Sequence, residues 1–91
     1  MAGNPPFNTK LRVAAAYYQM NRDTLARNLY KQLVAVNSAD GEAVGGLLSV
    51  YHRMGEIQEA HNLLEEWLKL HPNDAQAKQR LQEYKNILSA G

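Results

Sequence analysis

The chain of 91 residues repeats itself at an offset of 34 residues. Across this offset Tyr17 aligns with Tyr51 and Met20 with Met54, and the alignment needs no gap. Further identical pairs include Ala26 with Ala60, Asn28 with Asn62, Leu29 with Leu63 and Asp40 with Asp74. A fixed period of this length is typical of proteins built from repeated units. The in-phase series therefore indicates a duplication.

The apolar residues within each repeat follow helical spacing. In the first repeat Val13, Ala14 and Tyr17 form one apolar stripe, and a second stripe covers residues 25–34. Each repeat is therefore predicted to hold two helices, and one more helix follows the second repeat. The predicted helices lie near residues 8–20, 24–37, 42–54, 58–71 and 75–89.

The breaks between these helices carry residues that begin or end a helix. Asp23 is placed to accept hydrogen bonds from the free N–H groups of a helix that begins near Thr24. Gly55 accepts the left-handed conformation that ends a helix, and Pro72 cannot continue the helix before it. The last helix has one apolar stripe and an otherwise polar surface, which is typical of the cap that closes a repeat array.

Composition excludes several classes of function. Ten Lys and Arg residues against nine Asp and Glu give a formal net charge of +1, without a run of like charges that could follow a nucleic acid. The absence of cysteine excludes thiolate catalysis, disulfides and cysteine-based zinc sites. No apolar segment approaches the ~20 residues that cross a bilayer, so neither nucleic-acid binding nor membrane insertion is expected. The cellular compartment stays open.

These residues resemble the tetratricopeptide repeat family. The second repeat matches the family pattern at Leu47, Tyr51, Gly55, Ala60, Leu64, Leu68 and the closing Leu70-His71-Pro72-Asn73, and the first at Val13, Ala14, Tyr17, Ala26 and Tyr30. The resemblance implies an all-α fold, an α-α superhelix (a TPR-like solenoid) of five antiparallel helices. Residues 7–40 and 41–74 would be the two repeats and residues 75–91 the capping helix. Residues 1–6 are interpreted as a disordered N-terminal segment or a remnant of cloning.

Two large side chains depart from the family pattern in the second repeat. Leu48 occupies a position where the family prefers glycine or alanine, and Trp67 one where it prefers alanine. The first departure puts the usual close helix crossing in doubt. The second suggests that extra space beside the second helix of this repeat is filled by aromatic volume.

The resemblance implies that the chain binds another protein or peptide, without catalysis or a cofactor, in the concave groove formed by the first helices of successive repeats. The groove positions carried over are Leu11, Ala15, Tyr18 and Gln19 from the first helix, Gly45, Ser49, His52 and Arg53 from the third, and Gln76, Arg80 and Glu83 from the fifth. Tyr18, His52, Arg53 and Arg80 are expected to anchor the partner, because such side chains offer contact area or charge-assisted hydrogen bonds.

Gly45 and Gly46 lie in the middle of a predicted helix, where each glycine costs about 1 kcal/mol relative to alanine. Two explanations are open. The pair forms a bare patch on the groove floor that admits a partner's backbone, or a neighbouring helix approaches closely at this point.

An enzyme is not expected. His61 and Glu65 share a helix face at a spacing that can serve a metal, but a third ligand in register is missing. Ser49 and His52 have no acid to orient them as a nucleophilic pair. The metal and catalytic classes therefore lack the residues they need.

The alternative function is self-association or assembly, or the role of a secretion-type chaperone. The surface used would then be the uncovered first helix or the convex face with Trp67. The chain has two and a half repeats, which is near the lower limit for such arrays, since they usually need about three. The chain is accordingly expected either to pair with itself or to be the C-terminal part of a longer array.

Overall fold

The computed structural model describes residues 6–90, and in this range it contains five helices and no strand. They are α1 (Phe7–Gln19), α2 (Asp23–Val36), α3 (Gly41–Met54), α4 (Ile57–Leu70) and α5 (Ala75–Ala90). Every predicted boundary lies within one residue of the observed one, and the predicted all-α fold is confirmed. The interpretation of residues 1–6 concerns a segment that, apart from Pro6, lies outside the described residues.

The two repeats end their first helices with the same backbone geometry. Asn21 follows α1 with φ 61°, and Gly55, its equivalent 34 residues later, follows α3 with φ 75°. The left-handed region is open to glycine and, among other residues, best tolerated by asparagine and aspartate. In both repeats the next amide donates back into the helix, from Arg22 to the carbonyl of Tyr17 and from Glu56 to that of Tyr51, each at 2.8 Å.

The expected role of Asp23 as a helix cap is wrong. α2 begins at Asp23 itself, and the residue before it makes no side-chain capping hydrogen bond. The Asp23 carboxylate instead binds the guanidinium of Arg53 from α3. This partner lies 30 residues away in sequence, so local capping rules could not identify it.

Consecutive helices pack side by side into a superhelix whose extents are 50 × 28 × 16 Å. Small side chains lie where the helices meet, since Ala14, Ala26, Ala43 and Ala60 are completely buried. Helices approach closely where their contact residues are small, because side-chain size sets the distance between their axes. The result is an elongated slab with broad faces. None of the described helices combines the length and apolar character needed to cross a membrane.

The two adjacent glycines of α3 have different surroundings. A methyl group on Gly46 would lie 2.3 Å from the Cε1 and Cζ atoms of the buried Tyr30 ring, so this glycine admits α2. A methyl group on Gly45 would meet nothing within 4 Å. Close helix approach therefore explains Gly46, whereas Gly45 lies on an open surface. Burial, with a smaller effect of Glu42, raises the pKa of Tyr30 above its usual value.

Successive first helices are not spaced equally. α1 contacts α3, but no Cα atom of α5 comes within 8 Å of a Cα atom of α3. The contrast coincides with two substitutions between the repeats: Leu48 stands where the first repeat has Ala14, and Trp67 stands where it has Leu33. The crossing that Leu48 was expected to alter lies within the second repeat, between α3 and α4, and these two helices are in contact.

Candidate binding groove

Two adjoining cavities run along the face formed by the first helices. The larger, about 580 Å³, lies between α3 and α5 and reaches down to α4; we call it the α3–α5 cleft. Its lining consists of Gly41, Val44, Gly45, Leu48, Leu64, Trp67, Asp74, Gln76, Ala77, Gln79, Arg80 and Glu83. The smaller, about 470 Å³, is the His52 hollow, lined by Tyr18, Ser49, His52, Arg53, Arg80, Glu83, Tyr84 and Ile87. Arg80 and Glu83 line both cavities, so the cleft and the hollow are continuous and form one groove.

Trp67 is fixed at the inner end of the cleft. Its Nε1–H donates to Oδ2 of Asp74 at 2.9 Å, and its ring stacks on His71 with centroids 3.8 Å apart. The hydrogen bond from Trp67, followed by the one from the Ala77 backbone amide, lowers the pKa of Asp74 below its ordinary value. Asp74 therefore caps α5 and holds the indole at the same time.

Arg53 is engaged within the chain. Its Nε donates to both carboxylate oxygens of Asp23, at 3.0 and 3.1 Å, and its Nη2 donates to the backbone oxygen of Tyr18 at 2.6 Å. The guanidinium carbon lies 3.6 Å from the centre of the Tyr18 ring, which adds a cation–π contact. The hydrogen bond to Asp23 raises the pKa of Arg53 above its ordinary value. This cluster joins the end of α1, the start of α2 and the end of α3.

His52 provides a polar link between α3 and α5. Its Nδ1 lies 3.4 Å from the hydroxyl oxygen of Tyr84, and the two rings are tilted by 44° with centroids 6.2 Å apart. Tyr84 is almost completely buried, whereas His52 remains exposed to solvent. His52 therefore closes the hollow on one side and keeps a surface that a partner can reach.

The structure brings most of the carried-over groove positions together and leaves three aside. Gly45, Gln76, Arg80 and Glu83 line the cleft, and Tyr18, Ser49, His52, Arg53, Arg80 and Glu83 line the hollow. Leu11, Ala15 and Gln19 line neither cavity. Leu11 is only 7% exposed and belongs to the core, because α1 turns this position towards the rest of the fold. We therefore leave Leu11 out of the proposed contact surface.

Two aromatic residues that pack in or against the core also form walls of the groove. Trp67, expected to fill space beside α4, lines the cleft, and the almost completely buried Tyr84 lines the hollow. The departures of Leu48 and Trp67 from the repeat pattern were the available indication that this part of the groove has unusual packing. They did not reveal on which side the space would open.

Some charged side chains of the groove form ion pairs within the chain, and others do not. Within residues 6–90, the ion pairs join Arg27 to Glu56, Arg53 to Asp23, His61 to Glu65 and Lys69 to Glu66. Arg80 and Glu83, at the junction of the two cavities, take part in none of them. They are the charged groove groups available to a partner.

The described part of the chain contains no group of three His, Asp or Glu side chains arranged to hold a metal ion. The pair considered from sequence, His61 and Glu65, lies with Nδ1 and Oε1 3.7 Å apart.

Stacked helix pairs with a groove along their first helices define a protein of the α-helical repeat class. The family model for the tetratricopeptide repeat matches residues 24–83, and the chain belongs to this family. It is 33% identical over 75 residues to cellulose synthase operon protein C of Komagataeibacter sucrofermentans, which covers 80% of this chain and 6% of the relative. A protein of the same name from Komagataeibacter xylinus is 33% identical over 76 residues, with 81% and 6% covered. The chain thus spans about 6% of the length of these relatives.

Proposed function

We propose that this chain is a non-catalytic interaction module that binds an extended segment of another protein along the groove of α1, α3 and α5. The observation that carries the proposal is the continuity of the cleft and the hollow through Arg80 and Glu83. Helices satisfy their backbone hydrogen bonds internally, so a stacked array recognises its partner through side chains on one face.

The groove offers the side chains that such recognition needs. Gln76, Arg80 and Glu83 on α5 and Ser49 and His52 on α3 are all exposed. They provide donors, acceptors and both signs of charge along one path. Arg53 and Tyr18 stabilise the groove and do not serve as anchors, because the guanidinium of Arg53 is already engaged by the Tyr18 ring and the Asp23 carboxylate. We therefore assign anchoring to His52 and Arg80 rather than to Arg53.

The relatives favour a scaffold role within a larger protein. They are named for a cellulose synthase operon, and the matched region is a small fraction of each of them. We infer that the module acts as one section of a longer repeat array that holds partner proteins together. Its chemistry would then be recognition, and any enzymatic activity would reside in the partners.

An assembly function is the second candidate, and the outer face of α1 favours it. Val13 is 40% exposed, whereas its repeat equivalent Leu47 is 3% exposed. α2 packs against α3, but none of the described helices occupies the equivalent place beside α1. This face would accept a helix equivalent to α2, either from a preceding repeat or from a second copy of the chain.

Selection from a random-peptide library tests the proposed function. Enriched peptides should bind the wild-type chain, lose affinity for Arg80→Glu, and keep it for Lys78→Glu, which makes the same charge change on an exposed α5 position outside both cavities. Equal effects of the two variants would contradict binding in the groove. Sedimentation of Val13→Glu beside the wild-type chain tests assembly: a wild-type dimer that dissociates in the variant supports the second candidate, and a wild-type monomer contradicts pairing with a second copy.

A further inference from the structure

The α3–α5 cleft lies where the second repeat departs from the first in sequence. Leu48 and Trp67 both line it, and their equivalents in the first repeat are the smaller Ala14 and Leu33. Where Ala14 stands, α1 and α3 are in contact, and where Leu48 stands, α3 and α5 are apart. Side-chain volume at helix contacts sets how closely helix axes approach. The two larger residues thus line the space that is left where α5 stands away from α3.

The α3–α5 cleft has apolar side chains at its base and mostly polar side chains around them. Its inner wall includes Val44, Leu48 and Leu64, which are 4%, 8% and 2% exposed. The missing side chain of Gly45 leaves free space on the α3 side, where nothing lies within 4 Å of the position of a Cβ atom. With a volume of about 580 Å³, the cleft has room for a large side chain with part of its backbone.

The rim of the cleft carries two opposite charges without ion-pair partners among residues 6–90. Arg80 and Glu83 are three residues apart on α5, a spacing that places helical side chains about 5–6 Å apart at Cβ. In an extended segment, residues two positions apart point to the same side and are separated by about 6.6 Å. An acidic and a basic residue with one residue between them therefore match Arg80 and Glu83.

We propose that the α3–α5 cleft binds one large apolar side chain of an extended polypeptide, while an acidic and a basic residue two positions apart in the same segment pair with Arg80 and Glu83. The proposal rests on the proposed function and adds the chemistry of the partner. It assigns the choice of partner sequence to the second repeat, because among the described helices α3 and α5 stand apart whereas α1 and α3 are in contact.

A polypeptide fits the cleft better than an oligosaccharide. Sugar rings stack on an open aromatic face, but one face of the Trp67 indole is already covered by His71 and its Nε1–H is used by Asp74. The side of the indole near Gly41 is bounded as well, since a Cβ atom on this glycine would lie 3.7 Å from Trp67 Cη2. With one ring face covered and its N–H engaged, the indole offers a saccharide less than a free aromatic ring would.

The test compares peptides selected from a random library by the wild-type chain and by Arg80→Glu/Glu83→Arg. The wild-type selection should enrich a large apolar residue beside an acid and a base two positions apart. The double variant should enrich the same apolar residue with the order of the charges reversed, and wild-type peptides should bind it about tenfold more weakly. The variant changes exposed side chains and leaves the core intact. Identical enriched patterns for both proteins would overturn the proposal.

Trp67 is the only tryptophan of the chain and reports occupancy of the cleft directly. Filling the cleft with an apolar side chain excludes water from the indole, so the emission should shift to shorter wavelength on binding. Selected peptides that bind without changing this emission would place the ligand elsewhere in the groove. That result would overturn the cleft proposal while leaving the proposed function standing. A library that yields no binding peptide would overturn both.

Two further arms complete the experiment. The Leu48→Ala/Trp67→Leu variant restores the small-residue pattern of the first repeat and should lose affinity for the apolar residue; its helicity, measured by circular dichroism, checks that it folds. Cellohexaose serves as the saccharide probe and should leave the emission of Trp67 unchanged. A saturable change with cellohexaose and none with peptides would overturn the polypeptide assignment.

Discussion

Asp40 and Asp74, one repeat apart, make the same hydrogen bond at the start of the helix that follows each of them. Oδ1 of Asp40 accepts from the amide of Ala43 at 2.9 Å, and Oδ1 of Asp74 accepts from the amide of Ala77 at 3.0 Å. Only Asp74 also binds an indole through its second oxygen. The repeat thus conserves the geometry of its helix start, and the second copy adds a contact that fixes the cleft.

The difference between these caps predicts unequal losses of stability. Asp40→Ala removes one capping bond and should lower the free energy of unfolding by about 0.5–2 kcal/mol. Asp74→Ala removes the equivalent bond and the partner of Trp67 Nε1, so its loss should be larger. Urea unfolding of the two variants measures the difference. Equal losses would show that the indole hydrogen bond contributes nothing to stability.

Acid stability should depend on the Trp67–Asp74 contact. Because the pKa of Asp74 is lowered in the folded chain, its contribution to stability is present above the ordinary value of 3.8 and is lost as the pH falls through the folded pKa. Trp67→Phe keeps an aromatic ring and removes the N–H donor, which is the largest cause of the lowering. The variant should therefore show a smaller decrease in stability between about pH 5 and pH 2. Unfolding free energies at several pH values provide the test, and an unchanged pH dependence would contradict it.

The adjacent glycines of α3 should respond to alanine with opposite signs. Gly45→Ala meets open space and should stabilise the chain by about 0.5–1 kcal/mol through helix propensity. Gly46→Ala places a methyl group against the buried Tyr30 ring and should destabilise it by about 1–3 kcal/mol. Thermal unfolding distinguishes them, and in a Tyr30→Leu background the Gly46→Ala loss should shrink. The same sign for both variants would contradict the separate roles.

The Arg53–Asp23 ion pair should couple α2 to α3. A double-mutant cycle with Arg53→Ala and Asp23→Ala should give a favourable interaction that weakens with added salt, because both side chains are partly exposed. The Lys69–Glu66 pair, which lies within α4 and is much more exposed, serves as the matched control and should give a smaller value. A coupling no larger than that of the control would mean that the cluster does not join the helices.

The sequence was sufficient for the helices, because the 34-residue period and the turn residues each carry local information. Asn21 and Gly55 mark equivalent helix ends, and the apolar stripes place every helix within one residue. Local rules failed at Asp23, whose carboxylate found a partner in a different helix. Such long-range pairing depends on how the helices pack, and no spacing in the sequence encodes it directly.

The sequence predicts which face of the helices forms the groove, but it does not predict which side chains on that face are free to bind a partner. The carried-over positions included Arg80 and Glu83, which line both cavities, and also Arg53, whose guanidinium is bound internally. Leu11 matched a groove position by number yet lies in the core. The position of a residue in the repeat determines its side of the helix, whereas burial and ion pairing depend on the neighbouring helices.

Chemical-shift mapping of a library-selected peptide on the labelled chain tests whether the partner occupies the groove. We expect the amide signals that shift with peptide concentration to cluster around Ser49, His52, Arg80 and Glu83 on the groove face. Shifts confined to the uncovered face of α1 around Val13 and Tyr17, with the groove residues unchanged, would contradict it.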